Sequence, residues 1–435
     1  MEMKGNTLAI VLLVVGLIVG GGVGYFMAPS GGPEGPGATP IIQKELPLQG
    51  QTVQIGYITS TTVALETGTP LVQQIMVPDY NAYAQKLGYN VEFQYLIDNA
   101  DSQPAVHLEK VQGYKAIDVN IFIGGGWSSQ AQSALSYCND NNMLMWSSSS
   151  TSPILAIADD NLYRMCPDDT IQAPAIAAML KSYGIKAIVV IQRGDAWADG
   201  IYNYLEPAFT GGGGVILEKI RYAGEATEFS NYLQSAENSL GPAVEQYGEG
   251  HVAVEVIGFQ EVVTMVTQAS DYPTVYGVPW FGSDGTSLTQ QFIDDSPEQA
   301  SHLRIYSTLA APAESTKFND LYDRYYALVS QPFGYYSACA YDIGWVITET
   351  ILETQSTDAS VVIPLQVTTS FNSFGASGWN KLNEAGDRAG ANYQIWGYED
   401  LGNGVTNVNF GLFDAITGTV TWNTDVLGFT PTAAT

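Results

Sequence analysis

Residues 121–134 read IFIGGGWSSQAQSA: an apolar β-forming run, three glycines, then a serine pair opening a stretch with helical spacing. A strand that stops at glycine and restarts behind serine is a strand–turn–helix unit, because serine accepts hydrogen bonds from the free N–H groups of a helix start. The spacing predicts a strand over Val119–Gly124 and a helix over Ser129–Asn141. Upstream, strands are expected at Val53–Thr59 and Val91–Ile97, separated by helices at Gln73–Leu87 and Ala105–Tyr114. Downstream, Met143–Ser147 closes this first series. Strands alternating with helices imply a parallel sheet wrapped by its crossovers.

A second series starts near Asp169. Helices are expected at Ile171–Tyr183, Ala196–Phe209, Tyr232–Tyr247 and Glu261–Ala269. They alternate with strands at Ala187–Gln192, Val215–Arg221, His251–Phe259 and Thr274–Phe281. Later segments do not extend this alternation: Ser337–Glu353 is a long amphipathic helix, and Asn392–Tyr398 with Val405–Phe413 looks antiparallel. The expected fold class is α/β, with two doubly wound lobes and a chain that returns between them.

Sixteen Lys+Arg against 44 Asp+Glu give a formal net charge of −28, within a chain of 435 residues that is 46% hydrophobic. Such a balance excludes a nucleic-acid partner, whose affinity comes from basic side chains on phosphates. His107, His251 and His302 stand far apart, and Cys138, Cys166 and Cys339 form no CxxC pair, so no metal-ligand spacing occurs. GxxxxGK[ST], GxSxG and HExxH are absent, and the glycine runs 124–126 and 211–214 read as turns. No catalytic residues, metal or cofactor are expected, and the protein is not read as an enzyme.

Residues 8–27, LAIVLLVVGLIVGGGVGYFM, carry no charge. At ~1.5 Å rise per residue such a helix crosses a ~30 Å hydrocarbon layer. Lys4 precedes it, which places residues 1–7 in the cytoplasm and the body outside the cell membrane. A retained anchor is expected over a cleaved leader, since Phe26 and Pro29 fit a cleavage site poorly. Gly16, Gly20 and Gly24 share one helix face, and residues 28–50 form a Gly/Pro-rich linker.

Seven stretches, in order, resemble the type I periplasmic binding proteins of the branched-chain amino-acid (Leu/Ile/Val) binding, or extracellular ligand-binding receptor, family. They are Ile121–Ala134; Ser147–Leu155 (SSSSTSPIL); Tyr163–Thr170 (YRMCPDDT); Gly194–Gly200 (GDAWADG); Phe281–Gly285 (FGSDG); Ala340–Thr350 (AYDIGWVITET); and Phe371–Arg388, ending LNEAGDR. The resemblance implies a two-lobed clamp with three hinge crossings that closes on a ligand in its cleft. Lobe 1 is then expected over 51–168 plus 307–365, and lobe 2 over 169–306 plus 366–430.

It also implies a site. Ser128 or Ser129, with Ser149 and Thr151, would give hydroxyls to an oxygen-rich ligand group. Asp284 would face a ligand ammonium, and Trp197 and Phe259 would wall the pocket. Each has a plainer role open to it: serine and threonine favour helix caps, Asp284 suits a turn, and both rings suit a core. Trp197 stands where the family has tyrosine, so side-chain specificity does not carry over. The implied ligand is an amino acid or short amide, delivered to an ABC permease. A sensory ectodomain working through a membrane partner, or a surface-coat protein keeping the fold, are the alternatives.

Overall fold

The computed structural model describes residues 46–433. Two sheets divide them. The first contains β1 (Thr52–Thr59), β2 (Glu92–Asn99), β3 (Ile121–Ile123), β4 (Leu144–Ser147) and β5 (Leu162–Arg164), in the spatial order β2-β1-β3-β4-β5 and wholly parallel. The second contains β6 (Ala187–Arg193), β7 (Val215–Tyr222), β8 (Val252–Ile257), β9 (Trp280–Gly282), β10 (Tyr306–Ala310), β11 (Tyr393–Asp400), β12 (Val405–Asp414) and β13 (Thr419–Trp422). Its order is β13-β12-β11-β10-β9-β8-β6-β7, parallel from β7 to β10 and antiparallel from β10 to β13.

Helix-covered parallel strands are buried on both faces, which is why β8 (VAVEVI) is buried throughout. Edge strand β7 (VILEKIRY) mixes charged residues into its alternation, and these discourage pairing with another chain. Gly125 is required at the end of β3: its φ is +59°, and a Cβ there would come within 2.9 Å of Ala131. His107 holds this glycine turn, its Nε2 accepting from Gly125 N at 2.8 Å. Burial pushes the His107 imidazole down to about 4, so it stays a neutral acceptor.

The two-lobed α/β expectation holds, and the crossings run through 165–168, 311–315 and 372–392. Two boundaries differ from expectation. Residues 307–310 lie in β10, paired with β9 and β11, and so belong to the second lobe. Residues from 366 stay with the first lobe until the third crossing, because Gln366 accepts from Trp146 Nε1 (2.8 Å) and donates to Thr350 Oγ1 (3.3 Å). The strand expected over Thr274–Phe281 is instead a helix, Pro273–Gly277, followed by β9; proline suits a first helical turn. The anchor expected at Leu8–Met27 and most of the linker lie outside the described residues. Among the described residues, no helix is long and apolar enough to cross a membrane.

Fixed polar contacts pin the crossings. Arg164, at the end of β5, grips Asp387 of the third crossing through Nε–Oδ1 (2.5 Å) and Nη2–Oδ2 (2.6 Å). Its Nη1 donates to the carbonyls of Ser150 and Ser152, both at 2.9 Å. Asp342 accepts from the backbone of Ala376 and Ser377, each at 2.8 Å, and Arg388 donates to Ser377 Oγ (2.7 Å). Removing one partner of a buried pair strands the other charge. Asp387→Ala is therefore expected to destabilise the fold by about 3–5 kcal/mol in urea unfolding, and a loss below about 1 kcal/mol would contradict a structural role for the pair.

Candidate functional site

The carboxyl ends of both parallel sheets carry the residues singled out in the sequence, as expected for sites in doubly wound folds. The first lobe contributes the turns after β1, β3 and β4. Ser128 opens the helix Ser128–Asp140, but its buried hydroxyl is occupied, accepting from Ser152 N at 3.1 Å. Ser129 is half-buried and has no side-chain hydrogen bond among the described residues, which makes it the hydroxyl of the two that is free to take a ligand. Ser149 Oγ donates to Gly126 O at 2.8 Å and lines a cavity of about 160 Å³. Tyr57, Ser60, Thr67, Tyr336 and Ser337 share that lining, and no charged side chain does. It suits a neutral group that makes hydrogen bonds.

The second lobe contributes Trp197, Phe259 and Asp284. Asp195 caps the helix Ala196–Thr210, its Oδ1 accepting from Trp197 N (3.1 Å) and Ala198 N (3.0 Å). The cap fixes Trp197, which stacks on Phe259 with ring centroids 4.2 Å apart and planes 10° from parallel. Phe259 in turn stacks on Trp127 of the first lobe, at 4.7 Å and 8°. The Arg193 guanidinium covers this stack, 5.5 Å from the Trp127 ring and 5.4 Å from Phe259. Asp195 and Glu261 hold Arg193 at 2.7 and 3.0 Å. Three aromatic rings thus span the lobes. Ser152 adds a polar bridge, donating to Ala196 O at 2.9 Å.

Asp284 meets the first lobe directly. Tyr336 OH donates to its Oδ2 at 2.6 Å, and Gln172 Nε2 to its Oδ1 at 3.0 Å. Asp169, fully buried at the start of helix Asp169–Tyr183, has no hydrogen bond to either carboxylate oxygen. The Thr151 hydroxyl lies close enough to favour the ionised form of Asp169 but does not reach hydrogen-bond geometry, so both groups remain unsatisfied. Burial, then the neighbouring Asp284 charge, raises the Asp169 carboxyl well above the usual carboxylate range. Burial also raises Asp284, against the hydrogen bonds of Tyr336 and Gln172.

The structure therefore assembles Thr151 with Asp169 and Asp284, and Trp197 with Phe259 in one stack. It commits the Ser128 hydroxyl to the backbone N–H of Ser152. Trp127, Asp169, Gln172 and Tyr336 were not singled out in the sequence. Trp127 stands inside the deciding stretch, and Asp169 is the second acid of the PDDT turn. Tyr336 comes from a distant helix with no local signal. Among the described residues, Cys138, Cys166 and Cys339 are free and buried.

Asp169 gives a pH prediction. A carboxyl raised by folding contributes stability that is complete below its unfolded value and lost as pH rises through the folded one. Asp169→Asn is thus expected to be more stable than the parent at neutral pH, by about 1–3 kcal/mol for a buried group without a partner. Calorimetric melting across pH should show that gap closing in acid, and a gap that widens in acid would contradict the assignment.

Similarity to known proteins agrees with this geometry. A Methanocaldococcus jannaschii protein, itself uncharacterized, is 27% identical over 364 residues, covering 79% of this chain and 84% of its own. Among solved structures, the leucine-binding protein LivK of Thermotoga maritima superposes with a TM-score of 0.67 at 19% identity, over 86% of this chain and 99% of that one. LivJ of Streptococcus pneumoniae, in complex with isoleucine, gives 0.66 at 17% identity, over 82% and 100%. An R. palustris solute-binding protein in complex with benzoate gives 0.65 at 14%, over 82% and 96%. The family described as the receptor family ligand binding region matches residues 79–400, well over half of the chain. The chain belongs to that family of ligand-binding proteins, which are not enzymes, and it has the type I periplasmic-binding-protein fold.

Proposed function

We propose that the protein is the solute-binding component of an ABC importer, closing its lobes on an amino acid or a similarly small polar ligand. One observation carries the reading: fully buried Asp169 and half-buried Asp284 lie close enough for the Asp284 charge to raise the Asp169 carboxyl, and Asp169 has no donor of its own. A ligand ammonium supplies the missing positive charge and its N–H donors. On the other side, Ser129 and the helix start at Ser128 offer donors to a carboxylate. The hydroxyl-lined cavity at Ser149 would take the rest of the ligand. Solved relatives described with leucine, isoleucine and benzoate support a small organic ligand.

In this reading the apolar span Leu8–Met27 tethers the body at the outer face of the cell membrane, and the linker gives it reach to a permease. No catalytic step is involved. Binding energy serves lobe closure, and the closed form is what a permease would recognise.

Titration calorimetry across amino acids, short amides and benzoate tests the proposal. Binding of at least one amino acid is expected, weakened about tenfold or more by Asp284→Ala, since hydrogen bonds to charged groups contribute about 1.5–3 kcal/mol. An absence of heat across that panel, or a full-affinity Asp284→Ala variant, would overturn it.

A further inference from the structure

A second cavity, of about 580 Å³, shares no lining residue with the one at Ser149. One wall is helix Thr316–Val329 of the first lobe, which presents Phe318, Tyr322 and Tyr326 at four-residue intervals. The Tyr322 and Tyr326 rings lie nearly parallel, 6° apart with centroids at 6.0 Å, forming a flat double platform. Across from it, β11 and β12 present Trp396, Gln394 and Asn407. Trp396 Nε1 donates to Gln394 Oε1 at 3.2 Å, which leaves the Gln394 amide N–H groups free to donate. The buried Asn407 Oδ1 has no donor.

No charged side chain lines this cavity, in a chain with 44 acidic residues. An ionic ligand would find no counter-charge there. A purely apolar one would leave the Gln394 N–H groups unsatisfied, at about 1–3 kcal/mol. A sugar ring satisfies both demands: its C–H faces pack on aromatic faces, and its hydroxyls accept from the Gln394 amide. The volume is within the range that holds a small ligand, roughly 300–1,000 Å³. We propose that this cavity is a second ligand site, separate from the cleft, which binds a neutral saccharide of one or two rings between the Tyr322/Tyr326 platform and Trp396.

Saturation-transfer NMR and tryptophan fluorescence on the full chain, kept in a detergent without a sugar headgroup, test the site. The probes are maltose, cellobiose and N,N′-diacetylchitobiose. At least one is expected to bind. Its affinity should fall about tenfold or more in Trp396→Ala, as about 1.4 kcal/mol corresponds to tenfold. Binding should be retained in the cleft variant Asp284→Ala. Gln394→Ala, with circular dichroism confirming the fold, covers the case in which Trp396→Ala unfolds, and it too should weaken the sugar. The proposal is overturned if none of the three binds, if indole binds in their place, or if Asp284→Ala abolishes sugar binding while the Trp396 and Gln394 variants leave it intact.

Discussion

Two neighbouring carboxyls where the lobes meet, Asp169 fully buried and Asp284 half-buried, set the character of this region. Asp169 and Asp284 cannot both ionise in a low-dielectric pocket without a cation between them or a proton shared by them. Asp284 is partly answered by Tyr336 and Gln172, while Asp169 has nothing. The imbalance is local, but its support is global. Tyr336 comes from helix Tyr335–Thr354, packed in the first-lobe core, and Gln172 from the first helix of the second lobe.

The contacts between the lobes are of another kind. The Trp127–Phe259–Trp197 stack crosses the lobes with nearly parallel rings, and stacked aromatic pairs contribute about 0.5–1.5 kcal/mol beyond their buried area. Arg193 over the stack is held by its own acids, so it covers the rings without seeking a ligand carboxylate. The Arg164–Asp387 and Asp342–Ser377–Arg388 contacts tie the crossings to the first lobe.

Much of the fold was legible because parallel strands buried on both faces read as apolar runs, and Gly125 marks a turn that no other residue fits as easily. The β10 boundary was not legible. Tyr306–Ala310 is short, and the sheet it joins is decided by partners far along the chain. Within the site, the family resemblance rather than spacing named Ser129, Ser149, Thr151, Trp197, Phe259 and Asp284, and of these Ser149 lines the small cavity while Trp197 is buried in a core cluster. Ser128 was ambiguous because a capping hydroxyl and a ligand-binding hydroxyl look alike until Ser152 N is seen to occupy it. Tyr336 and Gln172 could not be found at all, since their roles depend on a hydrogen bond between elements that sequence spacing does not bring together.

Proton counting is the most direct test of the acid pair. Calorimetry of the tightest-binding amino acid should be run at neutral pH in buffers of different ionisation enthalpy. If the pair keeps a proton until a ligand ammonium replaces it, binding heat will depend on the buffer with the sign of proton release. Heat that does not vary with buffer, or that reports proton uptake, would mean that the cation is not received by Asp169 and Asp284.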